Sequence, residues 1–174
     1  GKGSALSADG ELEIKSNKFE YNKELNILKT FGEGLLLINS KNLEISFDES
    51  IIDQNSLIIK TNGNSEIFDK NNNVLIKSRF LIYDQKKMTI NAKDNVTITD
   101  NNTKLQIKTK DITYNQKKKL ISSNTKTEIL DKNQNNYKVE KFLYEIDKNL
   151  KKVNNLDFQD KENNKLKTSL AYIN

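Results

Sequence analysis

With 174 residues, 34% of them hydrophobic and 30% charged, the chain suits a single domain but holds too little apolar material for a large spherical core. His, Cys, Pro and Trp are absent and Arg occurs once, so cysteine nucleophiles are excluded, the commonest general base is missing, and no arginine and aromatic interleaving of the kind that stacks nucleobases is present. The net charge of +5 sets 29 basic against 24 acidic residues, a balance that serves solubility, and nucleic acid is not expected as a partner.

The chain opens on Gly1-Lys2-Gly3-Ser4 and closes on Asn174 in mid-pattern, so residues 1–174 are read as a single domain excised from a longer protein. The abundance of Asn (26), Lys (28) and Ile (19) is the bias of an AT-rich coding sequence. Such polarity competes with folding, but the apolar residues are periodic. After the Asp9-Gly10 turn come Leu12 and Ile14, then Phe19 and Tyr21, Leu25 and Ile27, and Leu35 and Leu37. A period of 2 predicts strands. Turns are predicted at Asn62-Gly63-Asn64, Asp69 to Asn73 and Asp100-Asn101-Asn102.

The pattern then returns. Tyr21-Asn22, Ile52-Asp53, Tyr83-Asp84, Tyr114-Asn115 and Ile146-Asp147 lie 31, 31, 31 and 32 residues apart. Apolar pairs keep the same beat at Leu12/Ile14, Leu43/Ile45, Val74/Ile76, Leu105/Ile107 and Tyr137/Val139, as do the turns after Asp69, Asp100, Asp131 and Asp160. Self-similarity at such a period marks units that bury their apolar faces only against neighbours. The expectation is an elongated all-β body of about five repeats and about sixteen strands, arranged as two sheets or as one open sheet folded over. Its ends would be open edges, suited to docking partners.

No constellation for catalysis emerges. Asp69 and Asp100 on consecutive repeats could cooperate as a carboxylate pair, and stacked Asp/Asn turns could ligate calcium. Turn formation through side-chain to backbone hydrogen bonds is the favoured reading of both. No cofactor or metal is expected. Lys86, Lys87, Lys117, Lys118 and Lys119 recur at one turn, a column that could meet anionic head groups or an anionic partner, or simply blunt an edge against aggregation. The inward positions Ile14, Phe19, Ile45, Ile76, Leu81, Ile98, Ile107, Ile112, Ile129, Phe142 and Phe158 would line either a greasy trough or a sealed core.

Asn91-Ala92-Lys93-Asp94-Asn95-Val96-Thr97-Ile98-Thr99-Asp100 resembles the Ala-x-Gly-Asn-Val-x-Ile-x-Asp segment of the OstA/LptA-like family of lipopolysaccharide transport proteins. Leu75 to Tyr83 is similar to that family's Leu-x-Ala-Asp-x-Ile-x-Tyr segment, and Phe31 to Leu37 and Leu105 to Tyr114 look like further copies. The likeness covers nearly the whole chain and is strongest to the periplasmic N-terminal domain of LptD proteins. The family's Gly before Asn-Val is Asp94 here, and its Ala-Asp pair is mostly Lys-Ser or Lys-Thr.

The resemblance implies a β-jellyroll whose two antiparallel sheets open into a V, carrying lipid acyl chains between the membranes. It favours the trough over the sealed core. It also implies a non-enzymatic periplasmic role at the Gram-negative outer membrane. Its partners would be lipopolysaccharide, another OstA-like jellyroll joined by edge-strand pairing, and an outer-membrane β-barrel if the parent is an LptD. The rival readings are a structural β-solenoid segment of a surface adhesin, which requires parallel coils, and a polysaccharide-active β-solenoid enzyme, which requires two facing carboxylates.

Overall fold

The structure, a computed structural model, describes residues 3–173. The alternating segments become fifteen strands: β1 (Gly3–Leu6), β2 (Leu12–Ser16), β3 (Lys18–Asn22), β4 (Ile27–Ile38), β5 (Leu43–Asp53), β6 (Ile58–Asp69), β7 (Val74–Asp84), β8 (Thr89–Asp100), β9 (Leu105–Asn115), β10 (Leu120–Ser123), β11 (Thr127–Leu130), β12 (Asn136–Val139), β13 (Lys141–Glu145), β14 (Leu150–Gln159) and β15 (Lys165–Ile173). Two single 3-10 turns, Asn39–Lys41 and Ile146–Lys148, are the only other regular elements among the described residues. The chain is all-β.

All strands join one antiparallel sheet in the order β1-β2-β4-β5-β6-β7-β8-β9-β10-β13-β14-β12-β11, with β3 on β4, β15 on β14 and β11 also on β9. Of the two arrangements expected, two sheets or one open sheet folded over, this is the second. It also removes the parallel coils that the adhesin reading requires. Pairing continues through corners at which one strand carries an extra residue: Phe31 and Gly34 of β4 face Glu49 and Phe47 of β5, so three residues span two. The pattern recurs at residues 62–65 and 93–96. Such bulges bend a strand and increase its twist.

The corner residues Gly32, Gly63, Asp94 and Asn95 sit at φ +75, +90, +62 and +55°. A Cβ on Gly32 would meet the Asn17 side-chain amide at 2.6 Å, and one on Gly63 would collide with the Asp48 carboxylate. Asp94, where the family resemblance has Gly, adopts the same left-handed conformation, which Asp tolerates better than most residues. Elsewhere the corner interrupts the strand, between β2 and β3, β10 and β11, and β12 and β13.

The corners fold the sheet back on itself. Asp69 of β6 and Tyr114 of β9 are three strands apart, about 14 Å in a flat sheet at ~4.8 Å per strand. Their side chains nevertheless meet at 2.7 Å. Two leaves therefore face one another, and each contributes a row of inward side chains in direct register. One row runs Ala5, Ile14, Leu36, Ile45, Ile67, Ile76, Ile98, Ile107, Ile129, Tyr137, Phe158, Leu166. The other runs Tyr21, Leu28, Ile52, Ile59, Tyr83, Ile90, Tyr114, Ile121, Tyr144, Lys151, Ile173.

Candidate functional site

The seam between the leaves holds most of the apolar residues singled out in the sequence. Ile14, Ile45, Ile76, Leu81, Ile98, Ile107, Ile112, Ile129 and Phe142 are at most 3% exposed, and Phe19 and Phe158 are half-buried against the same cluster. The expected open trough is thus closed: side chains from the two leaves pack against one another and exclude solvent. The seam is continuous all the same, and it ends in apolar side chains that no described residue covers. Tyr21 closes one row at 55% exposure and Leu166 the other at 55%.

Sequence reasoning missed the polar lacing of this seam. Tyr114 donates to Asp69 at 2.7 Å, while Gln116 Nε2 (3.1 Å) and Asn72 Nδ2 (2.9 Å) donate to the same carboxylate oxygen. Asn72 Nδ2 also lies 2.9 Å from the Tyr114 hydroxyl. Tyr144 donates to Asp100 at 2.6 Å. The second oxygen of each carboxylate accepts turn N–H groups, from Asn72 in one case and from Asn102 and Thr103 in the other. Each Tyr lies near a turn of one leaf and each Asp at a turn of the other, so these bonds tie the leaves together along the side away from the corners.

Burial pushes the Tyr114 and Tyr144 hydroxyls far above the usual phenol range, and the neighbouring carboxylates add to it. The signal for the lacing was the spacing from turn Asp to anchor Tyr, 45 residues in one case and 44 in the other. Nothing in the sequence shows that the two anchors meet.

Two buried polar groups do not fit this scheme. Tyr83 is fully buried, and its hydroxyl has no hydrogen-bond partner; burial raises its pKa to about 12. Lys151 occupies a core position in a row otherwise filled by Ile, Leu or Tyr. Its ammonium lies 5.7 Å from the Tyr144 ring centre, and burial lowers its pKa against the opposing pull of Asp131 and Asp100.

The five recurring lysines are partly neutralised. Lys87 pairs with Asp84 at 3.3 Å and Lys119 with Asp147 at 2.8 Å, and Lys86 reaches the Asn55 carbonyl at 3.4 Å. Lys117 and Lys118 make no ion pair among the described residues. This weakens the head-group reading of the five, because only part of the charge is left for an anion. Asp69 and Asp100 are each engaged by a tyrosine and by turn amides, so they do not act as a free carboxylate pair. Among the described residues no group of three His, Cys, Asp or Glu side chains is placed to hold a metal ion.

No family model and no curated protein matches the chain. Among solved structures, the wild-type TCP10 domain of Danio rerio CPAP in complex with a peptide of Danio rerio STIL aligns over 97% of this chain and 99% of that one, at 7% identity and a TM-score of 0.18. At that score the alignment carries no argument.

Proposed function

We propose that the chain is a non-enzymatic periplasmic lipid conduit of the OstA type, in which the folded sheet is a V-shaped jellyroll of about five 31-residue units. It accommodates lipopolysaccharide acyl chains between its leaves and passes them towards the outer membrane. The observation that carries this reading is the pair of continuous inward rows, apolar except at Lys151, which run from one edge of the sheet to the other, one reaching an exposed end at Tyr21 and the other at Leu166. A core that served stability alone would gain from polar cover at its ends.

Because the seam is packed shut, lipid enters only when the leaves part. The energy for that comes from outside the domain, since a passive seam offers binding sites and no driving force. Two partners fit the edges, another OstA-like jellyroll or an outer-membrane β-barrel domain, each adding its strand to β15 or to β1 and β3. The test is a photocrosslinking scan with a benzophenone residue at Ile45, Ile76, Ile98 and Ile129 in turn, against labelled lipopolysaccharide in the assembled system. Inward positions should crosslink and the outward neighbours Lys77 and Thr97 should not. Equal labelling of both faces, or none inside, overturns the reading.

A further inference from the structure

Among the described residues the lacing stops after two rungs. Asp69 is tied to Tyr114, 45 residues on, and Asp100 to Tyr144, 44 residues on. Tyr83 stands at the equivalent place one rung earlier, and 45 residues before it the position held by Asp in the other rungs is Ile38. Ile38 is 1% exposed and Tyr83 0%. The hydroxyl that would complete a third lace is therefore buried with nothing to donate to. The turn after Ile38 shows the same loss, because its first residue supplies no side-chain cap, whereas Asp69 and Asp100 both accept N–H groups of their turns. Leaving a buried donor unsatisfied costs about 1–3 kcal/mol, so such groups in a native fold call for an explanation.

The surroundings define what could accept from Tyr83. Its register neighbours are Ile59 and Ile90, both fully buried, so the body of the ligand is apolar. The charges that bear on the hydroxyl are the carboxylates Asp69, Glu11 and Asp84. All three are negative, which disfavours a phosphate or a free fatty acid. A neutral acceptor on an apolar chain remains.

We propose that the rung of Ile38 and Tyr83 is a lipid-admitting port, where the leaves part more easily than at the two laced rungs and the Tyr83 hydroxyl donates to the carbonyl oxygen of an acyl ester or amide. The inference rests on the reading of the seam as a lipid route and adds to it a place of entry and a recognition group. Parting the leaves here breaks no tyrosine–aspartate hydrogen bond. At the next two rungs it would break charge-assisted hydrogen bonds, which are the stronger kind.

The experiment uses the full chain with two photoreactive probes, a monoacylglycerol carrying a diazirine in its chain and a hydrocarbon of equal length with the same diazirine and no ester. The ester probe should crosslink on the strands around Ile38, Ile59 and Ile90. Tyr83→Phe should weaken it about tenfold while changing the hydrocarbon less than about twofold. Tyr83→Phe removes an unsatisfied hydroxyl and keeps the ring, so the fold is expected to survive. Ile38→Asp installs the missing lace and should raise the urea midpoint while lowering labelling by both probes.

Unchanged ester binding in Tyr83→Phe overturns the port, as does an equal loss for both probes or a lower urea midpoint in Ile38→Asp. The two proposals fail separately. If lipopolysaccharide labels Ile98 while Tyr83→Phe has no effect, the port alone falls. If the ester arm behaves as expected but lipopolysaccharide never labels the interior, the conduit falls and the port stands as a site for neutral acyl lipids.

Discussion

At the scale of single residues, the tyrosines of the seam separate into two kinds that a sequence comparison would treat alike. Tyr114 donates to a buried carboxylate, a class of hydrogen bond worth about 1.5–3 kcal/mol. Tyr114→Phe should therefore lower stability by about 2 kcal/mol in a urea melt. Tyr83→Phe, one strand pair away, removes a hydroxyl with no partner and should leave stability unchanged or raise it. Equal losses in the two variants would show that ring packing rather than the lace sets the energy.

The same groups fix the alkaline behaviour. The hydroxyls of Tyr83, Tyr114, Tyr137 and Tyr144 are all raised from 10.0 by burial. A group held protonated in the fold binds more protons there than in the unfolded chain once the pH exceeds the unfolded value. Its contribution to stability is full below pH 10, declines above it, and is lost as the pH passes the folded value, about 12 for Tyr83 and Tyr137. Urea midpoints between pH 9 and 12 should fall, and phenolate absorbance from these four should emerge only together with loss of the sheet.

At the scale of elements, the turns show how a degenerate pattern produces a regular rim. Backbone N–H groups staple one turn to the next, from Gln54 to the Asn26 carbonyl (3.2 Å), Gln85 to Leu57 (3.1 Å), Gln116 to Met88 (3.0 Å) and Ile146 to Lys119 (3.0 Å). The accepting residues all have positive φ, from 49 to 60°. Asn tolerates that conformation through local hydrogen bonding, and Leu does not. Leu57→Asn should therefore raise stability by about 0.5–1 kcal/mol, and Asn26→Leu should lower it by a similar amount. Urea midpoints of the two variants check the pair, and a stabilising Asn26→Leu would contradict it.

The strands and most turns were legible because alternation and Asn/Asp clusters are local signals. The corners were only partly so. Gly32 and Gly63 advertise a bend, whereas Asp94 reaches the same conformation without glycine. The single sheet and the lacing were not legible, because they depend on pairing that continues through the corners and on residues 44 or 45 apart being brought across the seam. Closure of the trough was also out of reach, since one and the same alternation lines a groove or fills a core. Lys151 would have passed for a surface lysine among its neighbours until the register placed it in a row of Ile, Leu and Tyr.

At the scale of the whole molecule, the sheet has two ends of similar apolar chemistry built from different strands. Leu6, Tyr21 and Leu25 lie exposed at one end, and Leu166, Leu170 and Tyr172 at the other. In this chain β15 pairs with β14 alone, while β1 and β3 pair with β2 and β4 alone, so each end offers backbone donors and acceptors beside apolar side chains. Edges of this kind template further pairing. Because the two ends differ, the contact they make is heterologous, and a heterologous contact that does not close extends into a row rather than stopping at a dimer. Sedimentation velocity across a concentration series should therefore show species beyond the dimer. Leu166→Glu, at the exposed end of one inward row, should shift that distribution towards monomer, and so should Tyr21→Glu at the opposite end. Both positions are largely solvated, so the monomer's urea midpoint should stay within about 0.5 kcal/mol of the parent. A distribution that stops at dimer, or one that neither substitution moves, would mean that the exposed ends do not meet each other.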